Sequence, residues 1–567
     1  MNTKYYTRKS LILITLLSFV TACSQTTTDT TSIAPQKEAR QETEASAPAL
    51  PKSQAPTEIL PQSPPQMNTT GGLAPQPLVS EDAVTRDREG KTEENTETYQ
   101  TIEEHPFKLV NLNPLSTFSI DVDTASYSNI RRFINEGSLP PKDAVRIEEL
   151  INYFSYDYPQ PQGDQPFAVI TEVSQAPWNP NHQLVHIGLQ SKKISSEDLP
   201  PSNLVFLIDV SGSMDQPDKL PLLKSAFRLL VNELRPEDRV SIVVYSGAAG
   251  LVLPSTPASE KDQILAALDQ LQAGGSTAGG EGIKLAYQEA KKSFIQGGNN
   301  RVILASDGDF NVGVSSDEEL VKLIEEKRQD GVFLTILGFG MGNLKDSKME
   351  SLSNKGNGNY AYIDNILEAK KVLVNEMGAT LLTIAKDVKI QVEFNPTKVQ
   401  AYRLIGYENR QLRDQDFNDD TKDAGELGAG HSVTALYEII PVGAKTDVQL
   451  PSVDPLRYQE NKPETTAYQS NELMLVKLRY KEPNGDSSRL ISQPITDVSK
   501  SLADTSNNFK FSAAVASFGM VLRDSEYKGN ASFDQVLNLA KPSQGADLEG
   551  YRAEFIRLVE TGKSLKQ

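Results

Sequence analysis

Apolar and polar residues change period several times along this chain, and the changes mark out its elements. Residues 204–208 form a short apolar run that ends at Asp209. From Lys219 the period lengthens, and Leu220, Leu223, Phe227, Leu230 and Leu234 recur at helical spacing, which predicts an amphipathic helix. A strand follows at 240–245 and a short edge strand at 251–253. Helices are expected around 264–271, 283–294 and 320–327, and strands at 302–305, 332–339 and 359–363. One helix over 366–382 closes the series. Strands alternating with helices imply a parallel sheet covered on both faces, so the predicted fold class is α/β and Rossmann-like.

Outside this region the pattern is mainly of period two. In Val388-Lys389-Ile390-Gln391-Val392-Glu393-Phe394 the alternation gives one apolar face, as a half-buried strand requires. Strands are expected at 168–173 and 184–189 before the α/β region, and at 388–394, 401–407, 433–439 and 473–478 after it. Too few stand on either side to close a sheet alone. The expectation is therefore a mainly β accessory domain, a sandwich formed by both flanks, with C-terminal helices at 509–522 and 547–558.

The N-terminal part reads differently. Lys4, Arg8 and Lys9 precede an apolar stretch at 11–20, too short for a stable bilayer-spanning anchor, and Val20-Thr21-Ala22-Cys23 follows. This is a secretory signal with a lipobox, and Cys23 is the only cysteine of the 567 residues. Cleavage before Cys23 and acylation there would tether the protein to a membrane by lipid, and no intramolecular disulfide can form. Ser24 rather than Asp follows, which in diderm bacteria resembles a sorting preference for the outer membrane. From 24 to about 104 the chain is rich in Pro, Gln, Thr, Ser, Ala and Glu and poor in aromatics. Such a segment buries too little apolar surface to offset its ordering entropy and serves as a solvated tether. The formal net charge of −18 repels nucleic acid and anionic lipid headgroups.

Chemistry concentrates at the ends of the apolar runs. Asp209, Ser211 and Ser213 stand in Asp209-Val210-Ser211-Gly212-Ser213, Thr277 in a glycine-rich loop at 274–280, and Asp307 directly after Ser306. Loops at the carboxyl ends of parallel strands converge on one crevice, so these distant residues can share a site. Ser211 and Ser213, two apart, can face the same side, and Gly212 permits a tight turn between them. Hydroxyls and carboxylates without thiol or imidazole make a hard metal site, for Mg²⁺ first and Mn²⁺ or Ca²⁺ as further choices. The five residues resemble the metal-ion-dependent adhesion site of von Willebrand factor type A domains. That resemblance implies direct bonds from Ser211, Ser213 and Thr277, with Asp209 and Asp307 acting directly or through water. It also implies an open coordination position for a carboxylate from a protein or peptide partner.

The flanks carry a second resemblance. Ser116-Thr117-Phe118-Ser119-Ile120-Asp121-Val122-Asp123, 145–154, 402–410 and 428–438 look like the flanks of bacterial YfbK-like lipoproteins. The expected order is signal and lipobox 1–23, tether 24–104, N-terminal flank 105–200, type A domain 201–385 and C-terminal flank 386–567.

Three further groups have ordinary readings. Asp121, Asp123 and Ser126 could hold a second cation but fit a strand at 118–122 entering a polar turn. Asp414, Asp416, Asn418, Asp420 and Asp423 suggest a calcium loop, yet Asp419 stands where that loop needs glycine and Glu426 comes one residue late; a solvated acidic loop is the expectation. His182 and His186 share a strand face without the glutamate of a zinc-protease helix and read as packing or surface residues. The leading function is a non-enzymatic, lipid-anchored envelope protein that binds its partner through the cation. A scaffold with a structural metal and a metal-dependent hydrolase are the alternatives, the hydrolase weakened by the lack of a nucleophile elbow or histidine triad. Cys23→Ala is expected to move the protein out of the membrane fraction or stall its processing, read by fractionation with and without detergent. Detergent-dependent retention of the variant would refute the lipid anchor.

Overall fold

The computed structural model describes residues 96–163, 165–275, 279–308, 317–450, 465–483, 485–496 and 498–566. The expected signal segment, Cys23 and residues 24–95 of the expected tether lie outside the described residues, and so does Thr277. Residues 96–104, expected to belong to the tether, instead pack on the folded part, with Thr98 N–H donating to Leu344 O at 3.1 Å and Arg132 to Glu97 at 2.9 Å. The N-terminal flank comprises β1 (Lys108–Leu109), β2 (Leu115–Ser119), α1 (Ala125–Asn135), α2 (Ile147–Asn152), β3 (Phe167–Ala176) and β4 (Asn179–Ser191). The central domain begins with β5 (Ser202–Asp209), α3 (Leu220–Glu233), β6 (Arg239–Tyr245), β7 (Ala249–Pro257), α4 (Lys261–Asp269) and α5 (Gly279–Lys292). It continues with β8 (Asn299–Ser306), α6 (Asp317–Gln329), β9 (Phe333–Phe339), α7 (Asp346–Lys355), β10 (Tyr360–Ile363), α8 (Ile366–Lys370) and α9 (Met377–Leu381). After it come β11 (Thr383–Phe394), β12 (Val399–Ile405), β13 (Gly425–Gly428), β14 (Ser432–Pro441), α10 (Thr465–Gln469), β15 (Glu472–Lys481), β16 (Ser488–Thr496) and β17 (Ser499–Lys500). Three helices end the chain: α11 (Asn507–Arg523), α12 (Phe533–Ala540) and α13 (Tyr551–Leu565).

The central sheet has the order β10-β9-β8-β5-β6-β7, parallel except for β7 at the edge. Its faces follow from the strand period of two. Leu204, Phe206 and Ile208 of β5 pack with Leu223, Phe227 and Leu230 of α3 on one side, where the Phe206 and Phe227 rings stack with centroids 4.2 Å apart. Val205 and Leu207 pack with Ile283, Ala286 and Tyr287 of α5 on the other. A strand buried on both faces reads as an unbroken apolar run, which is why 204–208 does not alternate.

The flanks interleave. Strand β4, before the central domain, pairs antiparallel with β14, after it, in a sheet ordered β1-β12-β14-β4-β3-β17. A second sheet, β13-β11-β15-β16 with β2 against β11, faces it across a core that includes Phe118, Val185, Ile187, Ile390, Val392, Tyr437 and Val476. Helix α11 is buried almost all round and packs with α1, α2, α12 and α13 in a separate core. An all-apolar circumference fits only a helix enclosed by others.

The structure corrects three further sequence expectations. The closing helix over 366–382 is broken: a π turn at Lys371–Asn375 separates α8 from α9, and Glu376 leaves the helical region at φ −111°, ψ 21°. There the buried Lys371 ammonium meets the Glu376 carboxylate at 2.7 Å, a local charge pairing that apolar periodicity does not register. The strand expected at 118–122 ends at Ser119, because Asp121 and Asp123 turn inward to an ion network. Helix α7, with few apolar residues between polar ones, and α12, amphipathic but only eight residues long, were not predicted.

That network joins flanks and central domain. Arg146 of the N-terminal flank contacts Glu149 and, across the boundary, both carboxylate oxygens of Asp346 at the start of α7. Arg410 of the C-terminal flank donates to Asp121 and Asp123 at 3.0 Å each, and lies 3.4 Å from Glu350 of α7. Every member is at most 9 % exposed by side chain. Removing one partner of a buried pair leaves an uncompensated charge and costs about 3–5 kcal/mol. Arg146→Ala is therefore expected to destabilise the folded chain by roughly that amount, measured by chemical denaturation; a change within error would show that the carboxylates are neutral in the folded state.

Candidate metal centre

Strands β5 and β8 lie side by side in the centre of the sheet, with Ile208 opposite Ala305, so the residues after them emerge on the same rim. Asp209, the last residue of β5, and Asp307, just past β8, are both fully buried. Asp209 Oδ1 accepts the Ser211 backbone N–H at 2.9 Å, and Oδ2 accepts the Ser306 hydroxyl at 3.1 Å. Ser211 is extended and leads into a 3₁₀ turn at Gly212–Asp215. This brings Ser211 Oγ and Ser213 Oγ to 3.1 Å from each other, and Ser213 also bonds to Asp307. The glycine-rich loop docks on the same turn: Gly274 N–H donates to Val210 O at 2.8 Å and Gly212 N–H to Gly275 O at 3.1 Å. Four of the five expected ligands, Asp209, Ser211, Ser213 and Asp307, thus share one crevice. The fifth, Thr277, follows Gly275 by two residues and lies outside the described residues.

The two carboxylates differ electrostatically. Burial, aided by the negative charge of Asp307, pushes the Asp209 carboxyl up to about 6 against the hydrogen bonds from Ser211 and Ser306. Burial would raise Asp307 too, but Asn343, the Lys219 ammonium and Ser213 together hold it below the usual carboxylate range. Lys219 Nζ donates to Asp307 Oδ2 at 3.0 Å and to Asn343 Oδ1 at 3.2 Å. Its stem passes Gly340, φ +71°, where any Cβ would fall 2.3 Å from Lys219 Cε, so only glycine leaves it room. Ser306, Lys219 and Asn343 were not anticipated from sequence. Lys219 stood at the start of a helix pattern, and Asn343 lies in a turn far along the chain, with nothing local to connect either to Asp307.

Two carboxylates, two hydroxyls and a single ammonium leave the crevice with excess negative charge and an all-oxygen donor set. Those residues fit a hard divalent cation, held by Asp209, Ser211, Ser213 and Asp307. When bound, the ion would supply a positive coordination point for an anionic oxygen.

Known protein families match most of the described chain. Residues 203–374 match the von Willebrand factor type A domain family, residues 93–186 a family described as von Willebrand factor, and residues 379–565 the family "Uncharacterized protein YfbK, C-terminal". The uncharacterized protein YfbK of Escherichia coli (strain K12) is 46 % identical over 472 residues, 82 % of this chain and 81 % of the relative. The chain belongs to the YfbK family. The uncharacterized protein sll0103 of Synechocystis is 30 % identical over 33 % of this chain and 43 % of its own length. Among solved structures, a von Willebrand factor type A protein from Catenulispora acidiphila is 16 % identical and covers 70 % of this chain and 91 % of its own, with a TM-score of 0.37. Type A domains commonly bind a divalent cation at an adhesion site of this kind and generally serve adhesion or scaffolding rather than catalysis.

The remaining candidates have internal partners. His182 Nδ1 lies 2.5 Å from Glu438 Oε1, and its Nε2 2.9 Å from Thr446 Oγ1. His186 Nε2 lies 2.6 Å from the Tyr158 hydroxyl and its Nδ1 3.0 Å from Ser512 Oγ; burial lowers this imidazole to about 4. Both are packing histidines of the accessory sandwich. At Asp121 and Asp123 the Arg410 guanidinium holds the place considered for a second cation, and Ser126 Oγ donates to Ala144 O at 2.7 Å.

Lys219 places a positive charge beside an oxygen needed by the cation, and unit charges a few ångströms apart near a protein surface repel by a few kcal/mol. Lys219→Met in the full chain is expected to raise Mg²⁺ affinity about tenfold, measured by calorimetry. Unchanged or weaker affinity would mean that the lysine positions Asp307 for the ion.

Proposed function

We propose that this YfbK-family protein is a lipid-anchored envelope protein that captures a protein or peptide carboxylate through a divalent cation, Mg²⁺ in the first instance. The observation that carries the reading is the convergence of Asp209, Ser211, Ser213 and Asp307 at one rim of the central sheet. Asp209 is held by Ser211 and Ser306, and Asp307 by Lys219, Asn343 and Ser213, so in this reading Ser211 and Ser213 would exchange their mutual hydrogen bond for the ion. In this reading Thr277, from the docked glycine-rich loop, completes the set. Few negative charges at the ion matter here: a fully neutralised ion would not attract a second anion.

The anchor rests on the lipobox ending at Cys23, and the outer membrane of a diderm organism is the proposed location because Ser24 follows it. Among the described residues no helix is long and apolar enough to cross a membrane. The tether would hold the folded part away from the lipid surface, with the negative chain repelled by anionic headgroups and by nucleic acid.

Asp209→Ala or Ser211→Ala is expected to abolish Mg²⁺ binding and partner capture together; both side chains are buried, so the fold of each variant is checked by circular dichroism beside the binding measurements. Calorimetry with Mg²⁺, Mn²⁺ and Ca²⁺, then pull-down from envelope extracts with and without EDTA, measures both steps. Full partner capture by a folded, metal-free Asp209→Ala protein would refute cation-mediated binding and move the contact surface to the flanks.

A further inference from the structure

The acidic stretch from Asp414 to Glu426 is mostly consumed by internal bonds. Asp414 accepts from Thr117, Asp416 pairs with Arg413, Asn418 accepts from Arg479 and Asp420 from Ser488. Two members are placed differently. Asp423 and Glu426 meet Asp387, which sits in a bulge of β11 at φ +53°, and one carboxylate oxygen of each lies within 4.8 Å of the other two.

Among the described residues the three carboxylates have two direct counter-ions. Lys481 Nζ donates to Asp387 Oδ2 at 2.6 Å, and Arg328 Nη1 to Asp423 Oδ2 at 2.5 Å; Asp387 Oδ1 accepts the Ala424 N–H at 3.1 Å. Glu426 is 6 % exposed, and its buried Oε1 has no hydrogen-bond partner among the described residues. Burial, with Asp423 and Asp387 beside it, holds its carboxyl well above the usual range. A second orphan, of another chemical kind, borders a cleft that Asp387 and Asp423 also line. Asn357, 7 % exposed in the turn between α7 and β10, has a buried Oδ1 with no partner among the described residues. It lines a cleft of about 700 Å³ together with Asp387, Asp423 and Arg328. Asp423 also borders a second cleft, of about 340 Å³, together with Glu426, so solvent ions can reach the group from either side.

We infer that Asp387, Asp423, Glu426 and the Asn357 side-chain carbonyl form a calcium site at the seam between the accessory sandwich and the central domain. An all-oxygen, carboxylate-rich set calls for a hard cation, and water from the clefts would complete the six to eight ligands that Ca²⁺ takes. The number of carboxylates also favours Ca²⁺, since Mg²⁺ is usually held by one or two carboxylates, keeps several waters and demands a near-regular octahedron. Unpaired buried oxygens are costly in either protonation state, and the ion would satisfy both Glu426 and Asn357 at once. Asp387, Asp423 and Glu426 come from the C-terminal flank and Asn357 from the central domain. The cation would therefore fasten one to the other, apart from the adhesion-type rim and independently of its role.

The test uses the full-length Ser211→Ala protein, so that binding at the rim does not contribute. It is expected to bind one Ca²⁺ by calorimetry and to melt several degrees higher in Ca²⁺ than in EDTA. Adding Glu426→Gln, a neutral isostere that needs no counter-ion, or Asp423→Asn should remove both the binding and the Ca²⁺-dependent shift while the apo fold persists. Asn357→Asp should instead tighten Ca²⁺ at least tenfold, which a merely packing asparagine would not do. If Ser211→Ala protein binds no Ca²⁺, or if Glu426→Gln leaves its affinity unchanged, the inference is overturned and Glu426 is a protonated buried acid.

Discussion

Eight residue pairs between β4 and β14, from Gln183 opposite Ile439 to Gln190 opposite Ser432, join segments separated in sequence by the whole central domain. Everything else in the molecule is arranged around that closure. Once β4 and β14 are paired, the two ends of the central domain, Ser202 at the start of β5 and Leu381 at the end of α9, are held near one accessory body, and rigid placement follows. The cost is a long-range loop closure, which grows only slowly with loop length. The gain is a complete sandwich core in which Phe118 and Val185 from one flank pack with Ile390, Tyr437 and Val476 from the other.

The seam created by this closure is charged rather than apolar. Arg146 and Arg410 each bridge carboxylates of more than one segment, and Arg131 gathers Asp364, Glu368 and Glu554 from the central domain and α13. Buried pairs of this kind contribute little net stability against apolar replacements but penalise the loss of any one partner. They fix how the pieces meet, since a displaced flank would strand several ions at once. At the rim of the central sheet the same rule has another outcome. The Lys219 ammonium pairs with Asp307, while Asp209 has hydrogen bonds from Ser211 and Ser306. Where guanidinium groups are sufficient the carboxylates are structural, and where they are not the residues fit a divalent cation.

The central fold was legible because its physics is local. Apolar runs such as 204–208 and the helical spacing from Leu220 to Leu234 are written in consecutive residues, and burial on both faces makes them unambiguous. The shared position of Asp209, Ser211, Ser213 and Asp307 at the rim was legible for a related reason: each ends a strand or opens a loop, so its place on the sheet follows from the order of elements. The neighbours that tune them were not. Ser306, Lys219 and Asn343 act on Asp209 and Asp307 through side-chain reach across separate strand ends, and no spacing in the chain encodes that.

The sequence by itself determined the alternation that makes an α/β domain, the placing of the oxygen-bearing residues Asp209, Ser211, Ser213 and Asp307 at its rim, and the sharing of the accessory sandwich by both flanks. Only the tertiary structure decided which carboxylates are neutralised by the protein and which are not. It gave Asp121 and Asp123 to Arg410, gave Asp307 to Lys219, and left Glu426 Oε1 without a hydrogen-bond partner among the described residues. Charge compensation in a buried site depends on distances between side chains tens to hundreds of residues apart, and those distances are set by packing rather than by sequence pattern.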